Sequence, residues 1–184
     1  SDAPGEQLGL AVDIGTTSVA AYLVGLSSGE ILSSLSRRSR QADFGADAIS
    51  RISAFPQHGE RLRRSIVEQI EAMAMELLER YLGKGEGGVE RLVAISAVGN
   101  TVMLHLLAGL DPQAIGEAPF IPVTTDSHVL RAEELGFSRL DAPLLLPPGV
   151  SAYIGSDISA GIIATGMVDR DETALLVDIG TNGE

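Results

Sequence analysis

Apolar positions open the chain in three strand-like runs. "LGLAVDIG" (8–15), "SVAAYLVGL" (18–26) and "EILSSLSRRS" (30–39) are separated only by "TT" and "SSG", so short turns join them. This pattern predicts a meander whose first strand, the most apolar, lies at the centre of the sheet. The mixed stretch "QADFGADAISRISAFPQHG" (41–59) predicts a short helix, a break at Pro56 and an exposed corner. From Glu60 to Leu82 the residues Leu62, Ile66, Ile70, Met73, Leu77 and Tyr81 recur at helical spacing with charges between them. They predict an amphipathic helix that ends at "GKGEGG" (83–88).

"RLVAIS" (91–96) follows as a fourth strand and "GNTVMLHLLAGL" (99–110) as a second helix starting near Asn100. Residues 111–138, rich in Pro, Gly and Thr, are expected to be the least regular part and an insertion. "PLLLPPGVSAYIG" (143–155) reads as a strand broken by two prolines, suited to an edge or a strand end. "SDISAGIIATGMV" (156–168) predicts a helix of small residues, and "TALLVDIG" (173–180) one more strand. Three strands followed by alternating helices and strands make an α/β protein.

Charge narrows the partners. Thirteen basic residues, of which Lys84 is the only lysine, face 25 acidic ones for a net charge of −12. Such a surface repels polyphosphates at long range, which argues against nucleic acid and anionic membranes. A nucleotide is still admissible, because backbone N–H groups and a magnesium ion supply positive charge locally. With no cysteine, the chain holds no disulfide, thiolate zinc site or cysteine-ligated iron–sulfur cluster. No run approaches the ~20 apolar residues of a membrane span, and "SDAPGEQLGL" has no signal-peptide character, so a cytoplasmic protein is expected. At 184 residues, without an initiator Met and ending on a motif, the chain is expected to be a piece of something longer.

That motif occurs twice. "VDIGTT" (12–17) and "VDIGTN" (177–182) each place an Asp after an aliphatic run and before a small polar turn, as a buried strand would deliver a carboxylate to a phosphate-binding turn. Asp13 and Asp178 are thereby candidates to hold a hydrated Mg²⁺. Gly15 and Gly180 would permit positive φ and close backbone approach, with Thr16, Thr17 and Thr181 offering hydroxyls beside the exposed amides. The plainer alternative for Asp13 is an ordinary Asx-type turn. Asp157 is either the cap of its helix or a catalytic carboxylate, and Asn100 is a helix cap. His105 reads as a core or partner-facing histidine, and His58 and His128 lack partners at metal-ligand spacing. Asp47 and Arg51, four apart, suit a helical ion pair or a docking face, while Arg37, Arg38 and Arg40 suit a charge-guarded strand edge.

The order of elements resembles the ribonuclease-H-like unit found twice in the actin, sugar kinase and heat-shock ATPase superfamily. More specifically, "GLAVDIGTTSVAAYLV", "FGADAISRI", "SAVGNTVMLHLLAGLDP", "APFIPV", "AYIGSDISAGIIATGM" and "LLVDIGTNGE" resemble, in this order, the ATPase part of the reductive activators of corrinoid proteins. The resemblance implies a mixed sheet flanked by helices, with residues 1–172 as the first ATPase lobe and 173–184 as the opening strand and phosphate loop of a second. It implies ATP and Mg²⁺ as cofactors, with Asp13 and Asp178 on the metal through water and Asp157 orienting a water for attack. Gly15, Thr16, Thr17, Gly180, Thr181 and Asn182 would lie around the phosphates. It further implies a corrinoid protein as partner, and a ferredoxin-like domain with a [2Fe–2S] cluster outside this chain. ATP would then be coupled to electron delivery to the Co(II) corrinoid, and this piece alone would be inactive. Two rival readings are a non-catalytic docking or homodimerisation module and a small-molecule, sugar-type kinase of the same superfamily.

Overall fold

The computed structural model describes residues 5–85 and 88–179. Those residues form one six-stranded sheet with helices packed on it. The strands are β1 (Leu8–Ile14), β2 (Ser18–Gly25), β3 (Ile31–Arg38), β4 (Leu92–Gly99), β5 (His128–Arg131) and β6 (Pro143–Leu146). Their spatial order is β3-β2-β1-β4-β6-β5. β1 runs antiparallel to β2 and parallel to β4, which in turn runs parallel to β6. A meander continued by parallel crossover strands is the expected α/β, ribonuclease-H-like arrangement, with β1 at its centre.

Alternation along the strands decides which face is core. Leu8, Leu10, Val12 and Ile14 of β1, Val19, Ala21 and Leu23 of β2 and Leu35 of β3 are all buried. Of the residues between them Asp13 and Tyr22 are exposed and Ala11, Ala20 and Val24 half-buried, so the opposite face of this part of the sheet is the less covered one. The buried face meets α1 (Ala48–Leu82), whose Leu62, Ile66, Ile70, Met73 and Leu77 complete the same cluster, and α2 (Thr101–Ala108) packs beside it. α3 (Ser156–Ala164) packs against β4. Among the described residues no helix is long and apolar enough to cross a membrane.

Three elements differ from expectation. Instead of breaking at Pro56, α1 is one helix of 35 residues that runs through it. The proline removes one N–H and one helical bond. Both flanks are nonetheless pinned, by the Asp47–Ser50 capping box and buried Arg51 and Ile52 before it, and by buried Leu62 after it. The insertion contains β5, whose pairing with β6 moves β6 off the sheet edge; Pro143 opens β6 and Pro147 follows its last residue. Finally, residues 173–179 form no strand. The edges of the sheet are β3 and β5, and this segment pairs with neither.

Candidate functional site

Three turns meet at the C-terminal ends of the parallel strands β1 and β4, the end of an open α/β sheet where ligands bind. Each contains a glycine that a neighbour has closed in on. A Cβ on Gly15, between β1 and β2, would lie 2.6 Å from the Ser18 carbonyl oxygen. A Cβ on Gly99, at the end of β4, would lie 2.7 Å from the Ile14 carbonyl oxygen. One on Gly155, which precedes α3, would overlap the Gly99 carbonyl and the Asn100 Cα. Gly15 is thus required by close approach; positive φ occurs at other glycines and not here, contrary to the expectation from sequence.

Asn100 ties the turns together. Its Oδ1 accepts from the Met103 N–H at 3.0 Å, capping α2, while its Nδ2 donates to Thr16 Oγ1 at 3.1 Å. The Thr16 hydroxyl is therefore buried and joined to the protein. Thr17 is exposed on the turn, and its carbonyl accepts from the Ser39 N–H at 2.9 Å.

The carboxylates gather at the same end. Asp13 occupies the penultimate position of β1, between Ala20 of β2 and Val98 of β4. Although its side chain reaches solvent, surrounding protein strips enough water from the carboxyl to raise its pKa, and the charges of Asp157 and Asp178 raise it further. Asp157 lies in the first turn of α3, two residues past the N-cap Gly155, so it is not the cap. Burial raises its pKa above the usual carboxylate value; a hydrogen bond from the Ile158 N–H at 3.0 Å opposes this and Asp178 adds to it. Asp178 belongs to the exposed segment 173–179, whose Leu176 alone is half-buried. Gly180, Thr181 and Asn182 lie outside the described residues.

Three mutually repelling carboxylates suit a divalent cation. Among the described residues no group of three or more acids or histidines is tight enough to ligate one ion directly. A cleft of about 730 Å³ is lined by Asp47, Asn100, Val102, Tyr153, Ile158, next in the chain to Asp157, and Leu176.

Sequence reasoning missed Arg51. The expected ion pair with Asp47 does not form, because Asp47 Oδ1 accepts from the Ser50 N–H at 2.7 Å as the cap of α1. That bond holds the Asp47 carboxyl below its usual value. Arg51 turns inward instead and is fully buried, donating to the Thr16 carbonyl, to Gly45 O at 3.1 Å and to Gln41 Oε1 at 3.3 Å. The available signal was its spacing: Arg51 is one residue from Ile52 and eleven from Leu62, on the buried side of the helix. His105 is a core histidine. Its Nδ1 lies 2.7 Å from the Thr101 carbonyl and its Nε2 accepts from the Val123 N–H at 3.2 Å, a pairing that fixes the neutral tautomer with Nδ1 as donor. Arg37 reaches back to Glu76 of α1 at 3.0 Å, on the edge strand β3.

Comparison with known proteins gives a family. Residues 8–170 match the family described as the RACo middle region. The corrinoid activation enzyme RamQ of Eubacterium limosum is 32% identical over 184 residues, which is 96% of this chain and 29% of RamQ. A Co(II) methylated amine-specific corrinoid protein reductase of Methanosarcina barkeri is 21% identical, over 96% of this chain and 33% of that protein. Among solved structures, a reductive activator for corrinoid, iron–sulfur protein matches with a TM-score of 0.89 and 33% identity, covering 98% of this chain and 29% of that one. The chain thus spans about a third or less of the length of the curated relatives it matches.

Proposed function

This chain belongs to the RACo middle-region family, and from that premise we propose that it is the first lobe of an ATP-dependent reductive activator of corrinoid proteins. The observation that supports this most is the convergence of three glycine turns and a carboxylate cluster at the C-terminal ends of β1 and β4. Close-packed turns let a phosphate approach backbone amides, and the carboxylates suit its counter-ion.

In this reading Asp13 and Asp178 hold Mg²⁺ through water, and the turn at Gly15 and Thr17 receives phosphate oxygens. Gly180, Thr181 and Asn182, outside the described residues, are the corresponding phosphate-binding candidates of the second motif. Thr16 also contributes through its bond to Asn100, which locks the β1–β2 turn to α2. Asp157 orients a water toward the terminal phosphate from the first turn of α3. The bound magnesium ion would neutralise developing phosphate charge. Residues 1–172 form this lobe, and 173–184 begin the second.

Nucleotide binding would draw the lobes together and shift the protein between partner-binding states. The electron would come from an iron–sulfur domain outside this chain and pass to the Co(II) of a corrinoid protein in the cytoplasm. The names of both curated relatives, aligned over nearly all of this chain, favour this over the sugar-kinase reading.

The test is the spectrum of a Co(II) corrinoid protein mixed with the activator as the cell makes it and a low-potential reductant. The Co(I) band should grow with MgATP, stay small with MgADP, and stay small with MgATP when Asp13 is replaced by Ala. Equal growth with and without ATP in the wild type would remove ATP from the mechanism.

A further inference from the structure

We propose that Arg51 is a positioning residue of the phosphate site, holding the β1–β2 turn from within the protein and setting one positive charge behind it. This rests on the nucleotide reading above.

The guanidinium joins four segments. It donates through Nη2 to the Thr16 carbonyl, through Nε to Gly45, and through Nη1 to Gln41 Oε1 and to Met103 Sδ of α2 at 2.9 Å. Each of these acceptors is neutral, and none of the ion pairs among the described residues includes Arg51. A fully buried cation without a bonded counter-ion is costly, and an apolar side chain of similar volume would pack there at lower cost. Burial lowers the pKa only to about 10, so the charge persists at neutral pH.

Its placement gives that charge a use. The Thr16–Thr17 peptide is trans, so its carbonyl and its N–H point to opposite sides. A cation bonded to the carbonyl fixes the plane of this peptide and polarises it. Asp13 and Asp157 lie in one another's field at this end of the sheet, and unscreened they would repel a phosphate. Asp47 is the acid that acts on Arg51, and its carboxylate is engaged as the cap of α1. With a net charge of −12 around it, the turn has its buried positive charge from Arg51.

The experiment compares wild type, Arg51→Met and Arg51→Lys in the protein as the cell makes it, titrated with MgATP, MgADP and adenosine. Arg51→Met should weaken MgATP on the order of tenfold, the scale of one unit charge acting through a protein-like dielectric. MgADP should weaken less and adenosine not at all, and Arg51→Lys should recover part of the loss. An equal loss for all three ligands, or none, overturns the proposal while leaving the nucleotide site standing. A wild type that binds none of the three ends both. If Arg51→Met does not fold, the wild-type protein labelled with ¹⁵N-arginine gives the answer: the Arg51 Nε–H resonance should shift with MgADP and not with adenosine. A resonance that responds to neither contradicts the assignment.

Discussion

The "VDIG" at 12–15 recurs in the sequence at 177–180, and its first three residues live in different surroundings in the two copies. Val12 and Ile14 are 2% and 0% exposed, with β2 paired on one side and β4 on the other. Val177 and Ile179 are 59% and 91% exposed, and no strand pairs with them. The aliphatic run is common to both, so it does not decide the structure. Ladder partners do: every residue of β1 has a partner in both β2 and β4, because β2 returns after three residues and β4 arrives parallel from α1. The second copy brings its carboxylate into the field of Asp13 and Asp157 without being built into the sheet.

The largest expected separation between the two regions is in stability. Leu10→Ala, in the fully buried face of β1, should cost about 3 kcal/mol in denaturant unfolding. Leu175→Ala, at a position 86% exposed, should stay within about 0.5 kcal/mol. Similar costs at both positions would mean that residues 173–179 are packed after all.

Two glycines give a smaller contrast. Gly99→Ala sets a methyl 2.7 Å from the Ile14 carbonyl, between the tips of β1 and β4, and should cost about 1–3 kcal/mol. Gly161→Ala, inside α3, meets only Leu176 Cδ2 at 3.4 Å and should stabilise by up to about 1 kcal/mol through helix propensity. Thermal melts of both variants measure this, and a harmless Gly99→Ala would show that the turns are looser than described.

The smallest expected effect concerns pH. The folded pKa values of Asp13 and Asp157 lie above the ordinary 3.8, so the folded state holds their protons more tightly than the unfolded state does. Their contribution is complete below pH 3.8 and is lost as pH rises through the raised values. Asp13→Asn should therefore raise the melting temperature of the ligand-free protein at pH 7 by a few degrees, with the gain fading toward pH 4. His105 acts with the opposite sign: its depressed pKa favours the neutral ring, so its contribution is present above pH 6.5 and declines as pH falls below it.

Local signals were legible where the chain neighbours decide. The short turns after Ile14 and Gly25 gave the meander, the apolarity of Leu8 to Ile14 gave its centre, and Asn100 before Thr101 gave the cap of α2. Signals failed where distant contacts decide. Pro56 predicts a break, but the helix is held on both sides of it by tertiary burial. β5 has only four residues and exists through its pairing with β6. Arg51 looked like a surface partner for Asp47 until the capping box claimed Asp47 and the Thr16 carbonyl claimed the arginine. At the site, Asp13, Gly15 and Asp178 were candidates from the repeated motif and Asp157 from the resemblance, and the structure brings the three carboxylates within one another's field. The burial of Thr16 under Asn100 required the fold.

One measurement bears most directly on the nucleotide site at the ends of β1 and β4: calorimetric titration of the protein, as the cell makes it, with MgADP, for wild type and for Asp13→Ala. Wild type should bind, and Asp13→Ala should bind roughly a hundredfold more weakly, the upper end of what losing a water-mediated metal contact costs, while its melting temperature without ligand is unchanged or higher. Equal affinity in the two proteins would contradict the account, because the carboxylate at the end of the central strand would then have no part in holding the nucleotide.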